Sequence, residues 1–194
     1  DVYVTSPSSR AVGSIYGGCI TLLKNVSNFE VYNVSVSRGM FVSVSGNSQD
    51  HGGIYGGVLF ILKSANVRLS QFFTKDTILQ SNSHIFGGVI CIMDGRDSVI
   101  MSTFSINVSL AITYTILRTG NTFVRGGVLY LKQPSNTQII NTSTVSVNMT
   151  CLSSLTVEKV DRCLLLGGVA YISQLATNTI FSLSSTQNVV LHCR

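Results

Sequence analysis

Five Gly-Gly pairs, each opening a run of apolar residues, constrain this chain more than any other feature. They are Gly17-Gly18 (YGGCITLL), Gly56-Gly57 (YGGVLFIL), Gly87-Gly88 (FGGVICIM), Gly126-Gly127 (RGGVLYLK) and Gly167-Gly168 (LGGVAYIS). The spacings between the first glycines are 39, 31, 39 and 41 residues. A recurrence of this size marks a repeat architecture, in which each unit buries its apolar side only by stacking on its neighbours. The copies cover nearly the whole chain, so residues 1–194 read as a single domain, complete in itself or an excerpt of a longer chain.

Aligned on the first glycine, the third position reads Ile20, Leu59, Ile90, Leu129, Ala170, and the fifth Leu22, Ile61, Ile92, Leu131, Ile172. Two aliphatic columns at a spacing of two describe one face of a strand, seen five times. A second apolar stretch follows in each repeat: 29–36, 67–73, 99–106, 137–145 and 179–183. A third precedes the next Gly-Gly at 40–44, 77–79, 111–117 and 155–160. Three strands per repeat and no helical period predict an all-β fold, a right-handed parallel β-helix of about five coils. Such a solenoid pairs each strand with its equivalent in the next coil, so similar residues stack in columns. Gly-Gly supplies backbone angles closed to other residues, as a tight corner demands. A β-propeller would need four strands per blade and usually carries Trp, which is absent here.

Only 11% of residues are charged, and the net charge of +5 is thinly spread. Without a cluster of Lys and Arg there is no electrostatic footprint for nucleic acid. The longest apolar stretch, 54–62, is too short to span a bilayer. Residues 1–10 lack the apolar segment of a secretory leader, as expected of a mature protein or an excerpt. Five N-x-Ser/Thr sequons, at Asn25, Asn33, Asn107, Asn141 and Asn148, nevertheless predict N-linked glycans and an extracellular or cell-surface location.

Five cysteines fit that compartment. Cys151 and Cys193 follow their Gly-Gly pairs at nearly equal distances, so stacked coils bring them about 4.8 Å apart, close enough to bridge. Cys163 competes as a partner of Cys151. Cys19 and Cys91 lie two repeats apart and are expected as buried free thiols.

With the third and fifth positions inside, the interleaved ones face out. The second reads Cys19, Val58, Val89, Val128, Val169, and the fourth Thr21, Phe60, Cys91, Tyr130, Tyr171. The Gly-Gly strand is therefore apolar on both faces, which calls for a cover. The expected cover is another copy of the chain or a flanking domain, meeting Val58, Phe60, Val128, Tyr130, Val169 and Tyr171; the alternative is the chain's own loops. Neither end reads as an amphipathic cap, which also points to stacking on further coils or other protomers.

Polysaccharide-cleaving sites on β-helices need two or three carboxylates, or a metal with an Arg or Lys, aligned along one sheet. The eight acidic residues do not recur at one register. Asp94-Gly-Arg-Asp97 reads as a turn, and Glu158 and Asp161 as solvated. His51, His84 and His192 have no metal-ligand spacing. No catalytic residue, metal or cofactor is expected.

The Gly-Gly-Val-Leu/Ile unit, with Phe104-Ser-Ile-Asn107, resembles the GGA-[Ile/Leu/Val] and Phe-x-x-Asn repeats of polymorphic outer-membrane adhesins. It also looks like pectin-lyase-like repeats of surface proteins in single-celled eukaryotes. Val or Cys stands in place of the Ala after Gly-Gly, and Phe73-Thr-Lys-Asp76 and Val145-Ser-Val-Asn148 match only in part. The resemblance implies adhesion or a surface scaffold and no cofactor. The expected function is thus a non-catalytic, glycosylated structural element, a protomer or segment of a filament or scaffold, with a glycan-binding adhesin as the alternative and a polysaccharide lyase or hydrolase a remoter one.

Overall fold

The computed structural model describes residues 2–8, 14–24, 26–45, 53–81, 83–97, 99–114, 122–133, 135–153, 163–173 and 180–193. Their regular structure is entirely β, seventeen strands in three parallel sheets. One sheet holds the residues before each Gly-Gly: β2 (Ile15–Tyr16), β6 (Gly53–Tyr55), β9 (His84–Phe86), β12 (Thr122–Arg125) and β15 (Cys163–Leu166). The second holds those after it: β3 (Ile20–Leu23), β7 (Leu59–Leu62), β10 (Ile90–Met93), β13 (Leu129–Lys132) and β16 (Ala170–Ser173). The third is built from longer strands: β1 (Val2–Ser8), β4 (Ser27–Ser37), β5 (Gly39–Ser45), β8 (Ala65–Ser81), β11 (Val99–Tyr114), β14 (Gln138–Ser153) and β17 (Ile180–Cys193). Each strand pairs with its equivalent one repeat away; Ile90, for instance, faces Leu59 and Leu129. The chain is a parallel β-solenoid.

Three coils, 53–81, 83–114 and 122–153, carry the full set of two short strands and one long one. The expectation of about five coils is corrected to about three. The first turn splits its long strand into β4 and β5 around Arg38, and in the last turn residues 174–179 lie outside the described residues.

The strand inventory also differs from expectation. The second and third apolar stretches are joined into one continuous strand of 17 residues in β8 and 16 in β11 and β14. A left-handed residue bends it at the same register in every coil, where Arg38, Asp76, Asn107, Ser146 and Asn188 form a column with φ between 51° and 61°; Asn33 and Gln71, at 56° and 55°, add a further left-handed position within β4 and β8. One such residue turns the chain without interrupting the ladder, so the two stretches pair as one strand. The true third strand is the short one ending just before Gly-Gly. Residues 115–117 and 155–160 of the predicted third stretch lie outside the described residues.

Both glycines of each corner are needed, for different reasons. The first has φ between 51° and 72°, a region that penalises a Cβ. The second approaches the next coil's backbone: a Cβ on Gly88 would lie 2.2 Å from the Gly127 carbonyl oxygen. Just past the glycines the corner carries a bulge. The amides of Val58 and Leu59 both donate to the Val89 carbonyl, at 3.1 and 3.0 Å, and the same sharing recurs at Val128 and Val169. Every coil makes the same bend, so the register between coils is kept, while two successive amides sharing one carbonyl break the in/out alternation along the strand. Val58 and Leu59 therefore both enter the interior, as do Val128 and Leu129.

The interior core runs along the axis and includes Phe41, Ile54, Leu59, Ile61, Leu79, Ile92, Leu110, Leu131 and Met149. A few hydroxyls are sealed within it, and Thr74 donates to Ser105 on the adjacent strand at 2.9 Å.

Candidate interaction surfaces

The outer face of the second sheet is a separate apolar cluster. Phe60, Cys91 and Tyr130 form its centre, with Tyr55, Leu62, Phe86, Met93 and Tyr171 packed around them. Phe60, Cys91 and Tyr130 are at most 3% exposed. The sheet is thus apolar on both sides, and side chains of the chain itself cover the second side. They come from the residue before each Gly-Gly, where β2, β6 and β9 end in Tyr16, Tyr55 and Phe86. The Tyr16 and Tyr55 rings stack at 4.8 Å and those of Tyr55 and Phe86 at 5.1 Å. Phe86 reaches Tyr130 on the second sheet itself at 5.1 Å, and Tyr130 stacks on its register partner Tyr171 at 5.8 Å. This cover was legible in the motifs YGG, YGG and FGG, as an aromatic residue recurring at one register.

The predicted partner face changes with it. Val58, Val128 and Val169 belong to the interior core rather than the outer surface, because of the corner bulge. Phe60 and Tyr130 are sealed by the aromatic ladder, and Tyr171 is half-buried against Tyr130. A sugar stacks on an open aromatic face, and here most faces are turned toward one another along the axis, so a glycan would meet ring edges.

Arg125 takes the ladder position in the fourth repeat. Its guanidinium lies 4.2 Å from the Phe123 ring centroid, 5.4 Å from Tyr171 and 5.6 Å from Phe86. These are cation–π distances, while its Nε is buried without a hydrogen-bond partner. Crowding among these groups pushes the Tyr55 phenol up to about 12, chiefly through burial and then through Tyr16, Cys91 and Tyr130. Burial also holds the Cys91 thiol well above its usual value.

A polar cleft of about 990 Å³ opens at the corner between the second and third sheets. Lys63, Asp94 and Gln133 line one rim and Asp97 and Asn136 the other, with Arg96 between. Both rims consist of left-handed residues: Lys63, Asp94 and Gln133 in one column, and Asn28, Asn66, Asp97 and Asn136 in the other. Asn and Asp tolerate that conformation best, which explains the polar lining locally. Amide ladders order the second rim, where Asn66 donates to Asn28 at 3.2 Å and Asn136 to Asp97 at 2.9 Å. Asp94 and Asp97 thus lie in a turn, as the sequence predicts.

His84 stacks on Phe123 at 5.5 Å, and its Nδ1 accepts from the Phe123 amide at 3.2 Å. His51, Glu158 and Asp161 lie outside the described residues. Among the described residues no three His, Cys, Asp or Glu side chains gather as metal ligands.

Of the sequons, Asn33, Asn107 and Asn148 are exposed on the third sheet. Asn107 donates to Asp76 at 2.8 Å, and Thr150, the hydroxyl residue of its own sequon, donates to Asn148 at 3.3 Å. Asn141 lies in β14 beside a register irregularity, and Asn25 lies outside the described residues. Cys19 and Cys91 are free; Cys91 is buried, whereas Cys19 is exposed, contrary to expectation.

Six of the seven exposed large apolar side chains among the described residues sit at the two ends. Tyr16, Leu23 and Tyr32 belong to the first turn, and Val189, Val190 and Leu191 to β17; Ile78 is the exception. The chain matches no protein-family model, no curated protein and no solved structure.

Proposed function

We propose that this chain is a non-catalytic structural β-solenoid of an extracellular or cell-surface glycoprotein, whose ends stack on further coils, those of a second copy or of a flanking domain. The observation that carries the reading is the concentration of exposed apolar side chains at the end strands. Tyr32 is 63% exposed at one end, and Val190 and Leu191 are 54% and 50% exposed at the other. An end strand of a parallel sheet offers unpaired N–H and C=O groups, and an apolar one invites pairing. Exposed Asn107 and Asn148, on the inner strands β11 and β14, support glycan attachment along the side, away from the stacking ends, whereas exposed Asn33 adjoins Tyr32 on the end strand β4. The likeness of the Gly-Gly repeats to surface adhesin and pectin-lyase-like repeats agrees with this role.

The test is sedimentation velocity across a wide concentration range, with electron microscopy of the glycosylated material. End-to-end assembly that grows with concentration and is suppressed by Val190→Lys, with the melting temperature preserved, is the expected result. A chain that stays monomeric at high concentration rejects self-stacking.

A second reading, glycan binding, is favoured by the polar cleft. Its lining balances two cations, Lys63 and Arg96, against two anions, Asp94 and Asp97, a surface suited to a neutral polyhydroxylated chain rather than a charged one. A glycan array tests it: binding lost in Asn136→Ala supports the cleft, and binding that survives the change removes it as the site.

A further inference from the structure

We infer that Cys151 and Cys193 form a disulfide that ties the last long strand, β17, to β14. The two strands run parallel, with Val147 facing Val189, Asn148 facing Val190, Met149 facing Leu191, Thr150 facing His192 and Cys151 facing Cys193. Residues so paired stand on the same face of the sheet about 4.8 Å apart. That lies within the Cα separation of roughly 4.4–6.8 Å that a disulfide spans. The pair closes five consecutive register steps without a slip, whereas the irregularities of this strand pair fall earlier, between Ile139 and Ser143.

Cys163 is the nearest competitor, and the register locates it. It faces Thr122; Thr122 precedes Phe123, which meets His84. One step back, the same column holds Ser83. The column of Cys151 runs through Ile112 to Ser81. Ser83 and Ser81 touch, the Ser83 amide donating to the Ser81 hydroxyl at 3.0 Å. The columns of Cys163 and Cys151 are therefore neighbours across a corner, whereas Cys193 shares the column of Cys151. Shared register favours Cys151–Cys193 and leaves Cys163 as a thiol beside it.

The position gives the bond a purpose. β17 has one described partner strand, and Val189, Val190 and Leu191 just before Cys193 are exposed. A covalent tie there holds the edge strand against fraying. In forming it, each thiol loses its proton and the sulfurs join. Two electrons and two protons pass to a disulfide oxidant, by exchange through a mixed disulfide, and the oxidant leaves as its dithiol. Such a bond persists in an oxidising compartment.

The experiment is peptide mapping by mass spectrometry of the whole chain. The protein is equilibrated in a glutathione redox buffer, unfolded in iodoacetamide without reductant, and digested. The expected result is a linked pair containing Cys151 and Cys193, with Cys19, Cys91 and Cys163 alkylated. Cys163 linked to either cysteine, or all five alkylated, overturns the assignment. Because the mapping uses the unaltered protein, it does not depend on a variant folding. Cys163→Ser is then expected to keep the link, and Cys193→Ser to leave Cys151 fully alkylated.

Discussion

Thr77 and Val108 are register partners on neighbouring long strands, both sealed from solvent, and the Thr77 hydroxyl has no hydrogen-bond partner. The column continues into Val147, also fully buried. A buried hydroxyl without a partner carries a desolvation cost that an isosteric methyl does not. Thr77→Val is expected to raise stability by about 1 kcal/mol. Urea unfolding reads it directly, and a lower midpoint would show that the hydroxyl is satisfied in solution.

The second glycine of each corner separates two kinds of close approach. A Cβ on Gly88 meets the Gly127 carbonyl oxygen at 2.2 Å, and one on Gly168 meets the Val189 side chain at 2.5 Å. Backbone in the middle of the stack cannot retreat, whereas a side chain on an end strand has room to move. Gly88→Ala is expected to cost about 3 kcal/mol and Gly168→Ala nearer 1 kcal/mol. Equal losses in thermal unfolding would contradict this account of the corner.

Tyr55 stacks between Tyr16 and Phe86 and meets the Phe60 ring edge-on at 6.1 Å, so truncation breaks three ring contacts at once. Tyr55→Ala is expected to cost about 3 kcal/mol, and Tyr55→Phe less than about 1 kcal/mol, since the ring is kept. Calorimetry distinguishes the two. Near-identical losses would place the importance in the hydroxyl rather than the ladder.

Alkaline stability follows from Cys91 and Tyr55. Unfolded, these groups titrate near 9.0 and 10.0. Folded, the thiol is held well above its value and the phenol reaches about 12. Above pH 9 the unfolded chain therefore binds fewer protons than the folded one, and stability falls as pH rises. The contribution is intact below pH 9 and is lost progressively toward pH 12. Cys91→Ala and Tyr55→Phe are expected to flatten that decline between pH 9 and 12 in urea titrations, and an unchanged slope in both would remove these groups as its source.

Stacked repeats were legible because in-register pairing puts equivalent residues on top of one another. The columns Leu59, Ile90, Leu129 and Ile61, Ile92, Leu131 stand in the interior, as strand alternation predicts. The two-faced apolar sheet was legible for the same reason. Three of its outward residues were misplaced because alternation was carried back through the corner: two amides sharing one carbonyl shift the parity, and Val58, Val128 and Val169 turn inward. The long third-sheet strands were hidden by their left-handed bends, since Asp76, Asn107 and Ser146 read in sequence as polar breaks between strands.

What the chain determines by itself is local and periodic: glycine corners, aliphatic columns, and hence a parallel β-solenoid. Those properties depend on a residue and its equivalents one coil away. The tertiary structure alone decided which apolar face is already covered and how two polar turn columns frame a cleft. The physical reason is that each depends on the relative placement of different columns. That placement is set by bulges and left-handed bends, which displace the chain by single residues and leave only a faint trace in a repeat's composition.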